Sequence, residues 1–153
     1  MSEIDQAAAE KTYRAIGRFI FEFSQFEYTI RHHLGEVIGL KDEYFAPVIE
    51  SYDVGLLTTV AKEVFKKSRS AEIFTKIERV LNEFHRLNEK RKRVAHGLWM
   101  PFSHGGAVSY TSRSNLNPIQ FEDQANELEK LADKACELRA ELESAIYTLP
   151  AGW

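Results

Sequence analysis

Apolar side chains recur at steps of three and four residues through most of the 153-residue chain. Such steps place side chains on one face of an α-helix. The first predicted helix runs from about Gln6 to about Leu40, and Gly39 marks its predicted end. Its apolar stripe consists of Ile16, Phe19, Ile20, Phe23, Phe26, Ile30, Leu34 and Val37. The pattern therefore favours a fold built largely from long amphipathic helices.

The same periodicity predicts three further helices. The second runs from about Tyr52 to Lys67, the third from about Ser70 to Ala95 and the fourth from about Phe121 to Thr148. Ser51 or Asp53 is the predicted N-cap of the second helix. The residues expected to point inward from that helix are Leu56, Leu57, Val60, Ala61, Val64 and Phe65. The fourth helix carries Leu128, Leu131, Ala135, Leu138, Leu142 and Ala145 at heptad-like spacing.

The remaining segments are predicted as connections. "DEYFAPVIES" links the first two helices and is interrupted by Pro47. After the third helix, Gly105-Gly106 separates two runs that favour strand, 98–102 and 107–113, which predicts a β-hairpin. The sequence thus predicts an all-α antiparallel four-helix bundle, with a small β-hairpin of about residues 98–117 inserted between helices three and four. One domain of residues 1–153 is expected.

Composition narrows the class of protein. The net charge is −3 and the sequence pI is about 6.0, so the overall charge gives no support for nucleic-acid binding. Two local basic patches exist, "FKKSR" at 65–69 and "EKRKR" at 89–93. The apolar runs are too short to span a membrane, and the amino terminus is unlike a secretory signal. With the single cysteine, Cys136, these features predict a cytoplasmic protein.

Two charged residues interrupt apolar stripes. In the third helix the series is Ile73, Ile77, Val80, Phe84, Leu87, Val94 and Leu98, and its missing member is Arg91. In the first helix the missing member is Glu27. Because a buried unpaired charge costs several kcal/mol, about 3–5 when a partner is removed, each charge needs a partner. We expect Glu27 and Arg91 to pair across the helix interface, either to fix helix register or to hold the arginine for an anion.

His96 follows Arg91 by five residues, which is roughly 140° round a straight helix. The two side chains can converge if a groove wraps the helix end or if a second chain completes the site. Phe21 and Tyr28 point away from the apolar stripe of the first helix, which is consistent with a dimer surface. His32 and Glu36 are four residues apart, as two metal ligands on a helix can be, but no third ligand of suitable spacing follows.

The segment "RKRVAHG", residues 91–97, resembles the Arg-x4–6-His signature of HEPN domains, in the "RNxxAHG" form followed by a tryptophan. The chain as a whole, including the stretch "FSQFEYTIRHHL" with Glu27, looks like bacterial members of this group. The resemblance therefore covers nearly the full length, although its chemically informative motif is short. Arg79 and His85 satisfy the bare spacing as well. HEPN domains are usually dimeric antiparallel four-helix bundles. Many are metal-independent endoribonucleases of toxin–antitoxin and phage-defence systems.

The resemblance implies a site. Arg91 matches the family arginine and His96 the family histidine, and both are implied as catalytic. The family commonly has Asn, Asp or His after the arginine, where this chain has Lys92. Glu27, Asn88 and Lys92 are candidate supporting residues, and Lys90 and Arg93 are candidates for binding RNA phosphates. In a two-fold dimer, two copies of the catalytic pair would form one composite site.

Cleavage of RNA without a metal needs a base for the 2′-hydroxyl, an acid for the leaving oxygen and positive charge on the phosphorane. Histidine and arginine can supply these functions. The implied function is therefore a metal-independent endoribonuclease acting on single-stranded RNA, as a homodimer with an antitoxin or another partner protein and with no cofactor or metal. The alternative is a non-catalytic dimeric module that binds a nucleotide or a partner protein.

Overall fold

The computed structural model describes residues 3–100, 107–112, 115–119 and 124–148. Helices account for most of them, which confirms the predicted all-α class. The helices are α1 (Glu3–Val37), α2 (Asp42–Phe45), α3 (Val54–Ser68), α4 (Ala71–His96) and α5 (Gln124–Tyr147), and a π-helical turn, Ala46–Glu50, directly follows α2. Within the described ranges, no helix combines the length and the apolar character needed to cross a membrane.

Single residues determine where α1 ends and where α3 begins. Gly39 has φ 65°, its N–H donates to the carbonyl of Glu36 at 3.1 Å, and the N–H of Leu40 donates to the carbonyl of Gly35 at 2.9 Å. These two bonds form a Schellman motif, which needs a residue that tolerates the left-handed region. At the start of α3, the Asp53 carboxylate accepts from the N–H of Leu56 at 2.8 Å. Of the two predicted caps, Asp53 is therefore the one used.

The connection between the first two predicted helices is itself helical, and it changes from α-helix to π-helical turn between Phe45 and Ala46, directly before Pro47. Pro47 lies at one of the first two positions of the π-helical segment. Ile49, which is fully buried, anchors this segment in the core. Gly35 faces the Phe45 ring so closely that a Cβ on it would lie 3.2 Å from two ring carbons.

The chain divides into two compact units, and each is built from parts of the long helices. The first unit comprises Met1–Phe23 and Leu87–Lys134. Its buried apolar side chains are Ala9, Ala15, Phe19, Phe23, Leu87, Val94, Ala125, Leu128 and Ala132. Arg18 on α1 pairs with Glu129 and Asp133 on α5, and these hydrogen bonds raise the pKa of the arginine. All three side chains are well exposed, so the pairs orient the helices more than they stabilise them.

Among its described residues, the first unit also holds three short strands, β1 (Leu98–Met100), β2 (Ala107–Ser112) and β3 (Asn115–Ile119), in the order β1-β2-β3. Trp99 is opposite Val108 in the antiparallel β1–β2 pair, and Tyr110 is opposite Ile119 in the antiparallel β2–β3 pair. The third strand was not predicted. The predicted turn at Gly105-Gly106 lies outside the described residues, so the hairpin stays a prediction.

The second unit comprises Ser24–Arg86 and Ala135–Trp153. Its fully buried large side chains are Phe26, Ile30, Leu34, Ile49, Leu57, Phe65, Ile77, Leu81, Phe84 and Leu142. The rings of Phe26 and Phe84 meet edge to face with centroids 4.8 Å apart. Leu56, predicted to point inward, is 48% exposed, because the buried ridge of α3 is the narrower series Leu57, Ala61 and Phe65 at steps of four. The single domain of residues 1–153 stays a prediction.

Candidate functional site

The segment "RKRVAHG" forms the end of α4, which stops at His96. The last carbonyls of a helix have no partner within it. Here Trp99 donates its indole N–H to the carbonyl of Val94 at 2.9 Å, and the N–H of Gly97 donates to the carbonyl of Arg93 at 2.8 Å. These two bonds fix the direction in which the chain leaves the helix. They explain why the sequence places a tryptophan two residues after the His-Gly pair.

Arg91 is half-buried, and two residues of its own unit hold its guanidinium. Its Nη2 donates to the Oδ1 of Asn88, one turn earlier on α4, at 2.9 Å. Its Cζ lies over the ring of Phe23 from α1, 5.4 Å from the ring centroid, which is the geometry of a cation–π contact. Asn88 and Phe23 are themselves 3% and 2% exposed, so both supports are fixed by packing. The predicted supporting residue Asn88 thus touches the arginine directly.

A buried donor of Arg91 is not used. Its Nε is buried and has no hydrogen-bond partner among the residues that the structure describes. A buried donor without a partner costs about 1–3 kcal/mol, so a purely structural arginine would be expected to have this donor satisfied. The guanidinium of Arg91 is therefore oriented by two neighbours, and its buried Nε has no acceptor among the described residues.

His96 is exposed at the last position of α4. It leaves the helix roughly 140° round from Arg91, because five residues separate them at about 100° each. Exposure leaves the imidazole accessible to a substrate or to a second chain. The composite site of two Arg91 and two His96 side chains stays a prediction.

The remaining cations of this stretch differ in their environment. Lys92 is exposed, and its ammonium pairs with the Glu89 carboxylate at 2.9 Å. Lys90 and Arg93 are half-buried, and only part of each side chain faces solvent. An exposed pair on one helix, such as Glu89–Lys92, contributes little, about 0.3–0.5 kcal/mol, and can exchange its carboxylate for a phosphate at small cost.

Glu27 has a partner within its own helix. Its carboxylate accepts from Arg31, four residues later on α1, and both belong to the second unit. Arg31 is buried, and it also donates to the backbone carbonyls of Ile49 and Tyr52. It thereby ties α1 to the segment before α3. Arg91 belongs to the first unit, and the Glu27–Arg91 pair stays a prediction.

Sequence reasoning gave Arg31 no role, although the signal was present. A glutamate four residues before an arginine on a helix is a favourable pair. In the second match to the Arg-to-His spacing, the arginine is engaged otherwise, because Arg79 pairs with Glu141 on α5, while His85 is exposed like His96. His33 is 3% exposed, and its Nδ1 lies 2.8 Å from the Glu36 carboxylate.

Comparison with known proteins finds no matching family model, no matching curated protein and no matching solved structure.

Proposed function

We propose that this protein is a HEPN-like, metal-independent endoribonuclease that cleaves single-stranded RNA as a homodimer, with Arg91 and His96 as its catalytic residues. In this proposal the long helices form an antiparallel four-helix bundle with the β-hairpin inserted before α5. The observation that carries it is the state of Arg91, which is half-buried and whose guanidinium is oriented by Asn88 and Phe23. A guanidinium held in this way is suited to receive a phosphate oxygen on its solvent-facing side.

The reaction needs two imidazoles. A neutral His96 takes the proton of the 2′-hydroxyl, whose oxygen attacks the adjacent phosphorus. The bond from phosphorus to the 5′-oxygen breaks, and a protonated His96 from the second subunit donates its proton to that oxygen. The products carry a 2′,3′-cyclic phosphate and a 5′-hydroxyl. Arg91 stabilises the negative charge that develops on the phosphorane oxygens.

The basic residues beside the pair supply binding. Lys90, Lys92 and Arg93 would contact flanking phosphates, so RNA affinity should fall as salt rises. The exposed aromatics of α1, Phe21 and Tyr28, are 59% and 56% exposed and would be covered by the second subunit. A cytoplasmic role in a toxin–antitoxin or phage-defence system, with an antitoxin as partner protein, fits such an activity.

A second candidate is a non-catalytic dimeric module that binds a nucleotide or a partner protein. The Glu89–Lys92 pair favours it, because Lys92, which directly follows Arg91, already forms an ion pair with the Glu89 carboxylate. The two candidates share the anion-binding Arg91 and differ in whether His96 does chemistry. A cleavage assay therefore separates them.

The test is cleavage of a mixed-sequence single-stranded RNA in excess chelator. We expect the wild-type protein to leave 2′,3′-cyclic phosphate ends, and both Arg91→Ala and His96→Ala to lose at least about 100-fold in rate. Arg79→Ala and His85→Ala are matched controls, because this second pair satisfies the same spacing and should keep wild-type rates. Equal losses in the controls, or no wild-type cleavage over a broad RNA panel, would contradict the ribonuclease proposal.

A further inference from the structure

Three potential metal ligands meet near the carboxyl end of α1. The Nδ1 of His33 lies 2.8 Å from one carboxylate oxygen of Glu36, and the Nε2 of His32 lies 3.5 Å from the other. One ligand atom from each residue can be chosen so that all lie within 4.8 Å of one another. Ligands of a tetrahedral zinc ion are about 3.3 Å apart, because each is about 2.0–2.1 Å from the metal. Small side-chain rotations would therefore close the set around one ion.

Helix geometry explains why these three residues converge. At about 100° per residue, His33 lies roughly 100° round the helix axis from His32. Glu36 lies between them, roughly 40° from His32 and roughly 60° from His33. The carboxylate therefore stands between two imidazoles that are adjacent in sequence. His32 and Glu36 alone provide only two ligands, and His33 provides the third.

Packing holds both rings in place without a metal. The His32 ring is stacked on Tyr28, with ring centroids 6.0 Å apart and an interplanar angle of 11°. The side chain of His33 is only 4% exposed, and its ring meets Tyr147 edge to face at 5.4 Å. Ligands whose rotamers are fixed by their surroundings lose little freedom when a metal binds. His32 and Glu36 are about half exposed, which leaves a path for an ion to enter.

We propose that His32, His33 and Glu36 bind a divalent late first-row transition metal, with zinc as the representative ion. Two imidazole nitrogens and one carboxylate oxygen suit such an ion, whereas magnesium and calcium prefer oxygen ligands. Three protein ligands leave a fourth position for water or for an external ligand. The site is independent of the proposed ribonuclease reaction, which uses no metal.

The test is isothermal titration of the chelator-treated, untagged full chain with Zn²⁺, followed by titration with Co²⁺ monitored by visible absorption. We expect one tight equivalent per chain and an intense Co²⁺ spectrum typical of low coordination number. His32→Ala and Glu36→Gln should each weaken binding by at least about tenfold, because loss of a residue that only supports a ligand already costs about 10–100-fold. Both changes are at exposed positions, so circular dichroism should show wild-type helicity.

The control is His85→Ala, which removes another exposed histidine on a different helix. It should keep wild-type affinity. The proposal is overturned if the wild-type chain binds no Zn²⁺ at millimolar concentration. It is equally overturned if His32→Ala and Glu36→Gln bind as tightly as the wild type, or if His85→Ala weakens binding as much as they do.

Discussion

The hydrogen bond between Asn88 and Arg91 is the structural basis for treating Arg91 as an oriented group. A double-mutant cycle measures it, with Asn88→Ala, Arg91→Met and the double variant. Methionine keeps much of the apolar stem of arginine and removes the guanidinium. If Asn88 holds the guanidinium, the double variant should be less destabilised than the sum of the losses in the two single variants, because the second change removes an interaction that the first has already broken.

The expected coupling energy follows from burial. A hydrogen bond to a charged group contributes about 1.5–3 kcal/mol. Asn88 is 3% exposed, but Arg91 is only half-buried, so solvent weakens the charge-assisted part. We therefore expect a coupling of about 1–2 kcal/mol. The contact of Arg91 with Phe23 is lost in both variants that lack the arginine, so it largely cancels in the cycle.

The assay is equilibrium unfolding in urea, followed by far-UV circular dichroism. With a urea slope of about 1–3 kcal/mol per molar, a coupling of this size corresponds to a midpoint difference of roughly 0.3–2 M. The matched control is the cycle on Glu89 and Lys92, a pair at the same spacing on the same helix but exposed. Its coupling should stay below about 0.5 kcal/mol. A coupling at Asn88–Arg91 no larger than this control would refute the view that Arg91 is held in place.

Two further predictions concern the helix ends. Asp53→Ala should destabilise the protein by about 1 kcal/mol, because it leaves the N–H of Leu56 without its carboxylate acceptor, and Asp53→Asn should retain most of that stability. Thermal unfolding of the three proteins checks this, and equal midpoints would show that the cap is replaced by water. Gly39→Ala should destabilise the protein by about 1–2 kcal/mol, because it forces a residue with a Cβ to φ 65°. Gly17→Ala is the control for this change, since Gly17 lies within α1 with open space around it, and it should leave the protein at least as stable as the wild type.

The helices could be predicted because their determinants are local. Apolar periodicity, the Gly39 end and the Asp53 cap act within a few residues of the chain, so they are visible in the sequence. The segment around Pro47 is helical, although proline usually interrupts an α-helix. What holds that segment is tertiary, namely burial of Ile49 and the bond from Arg31 to its carbonyl, and neither contact has a sequence signature.

The charges on apolar stripes show where periodicity stops being informative. A gap in a stripe locates the Cα and the stem of a side chain, but the long arms of arginine and glutamate carry their charged ends away from that direction. Glu27 is paired with Arg31 one turn along the same helix, and Arg91 is hydrogen-bonded to Asn88 one turn back along its own. Both partners lie at steps of three or four, where side chains on one helix meet. The first partners to consider for a charge within an apolar stripe are therefore its neighbours on the same helix, before any residue of a facing helix.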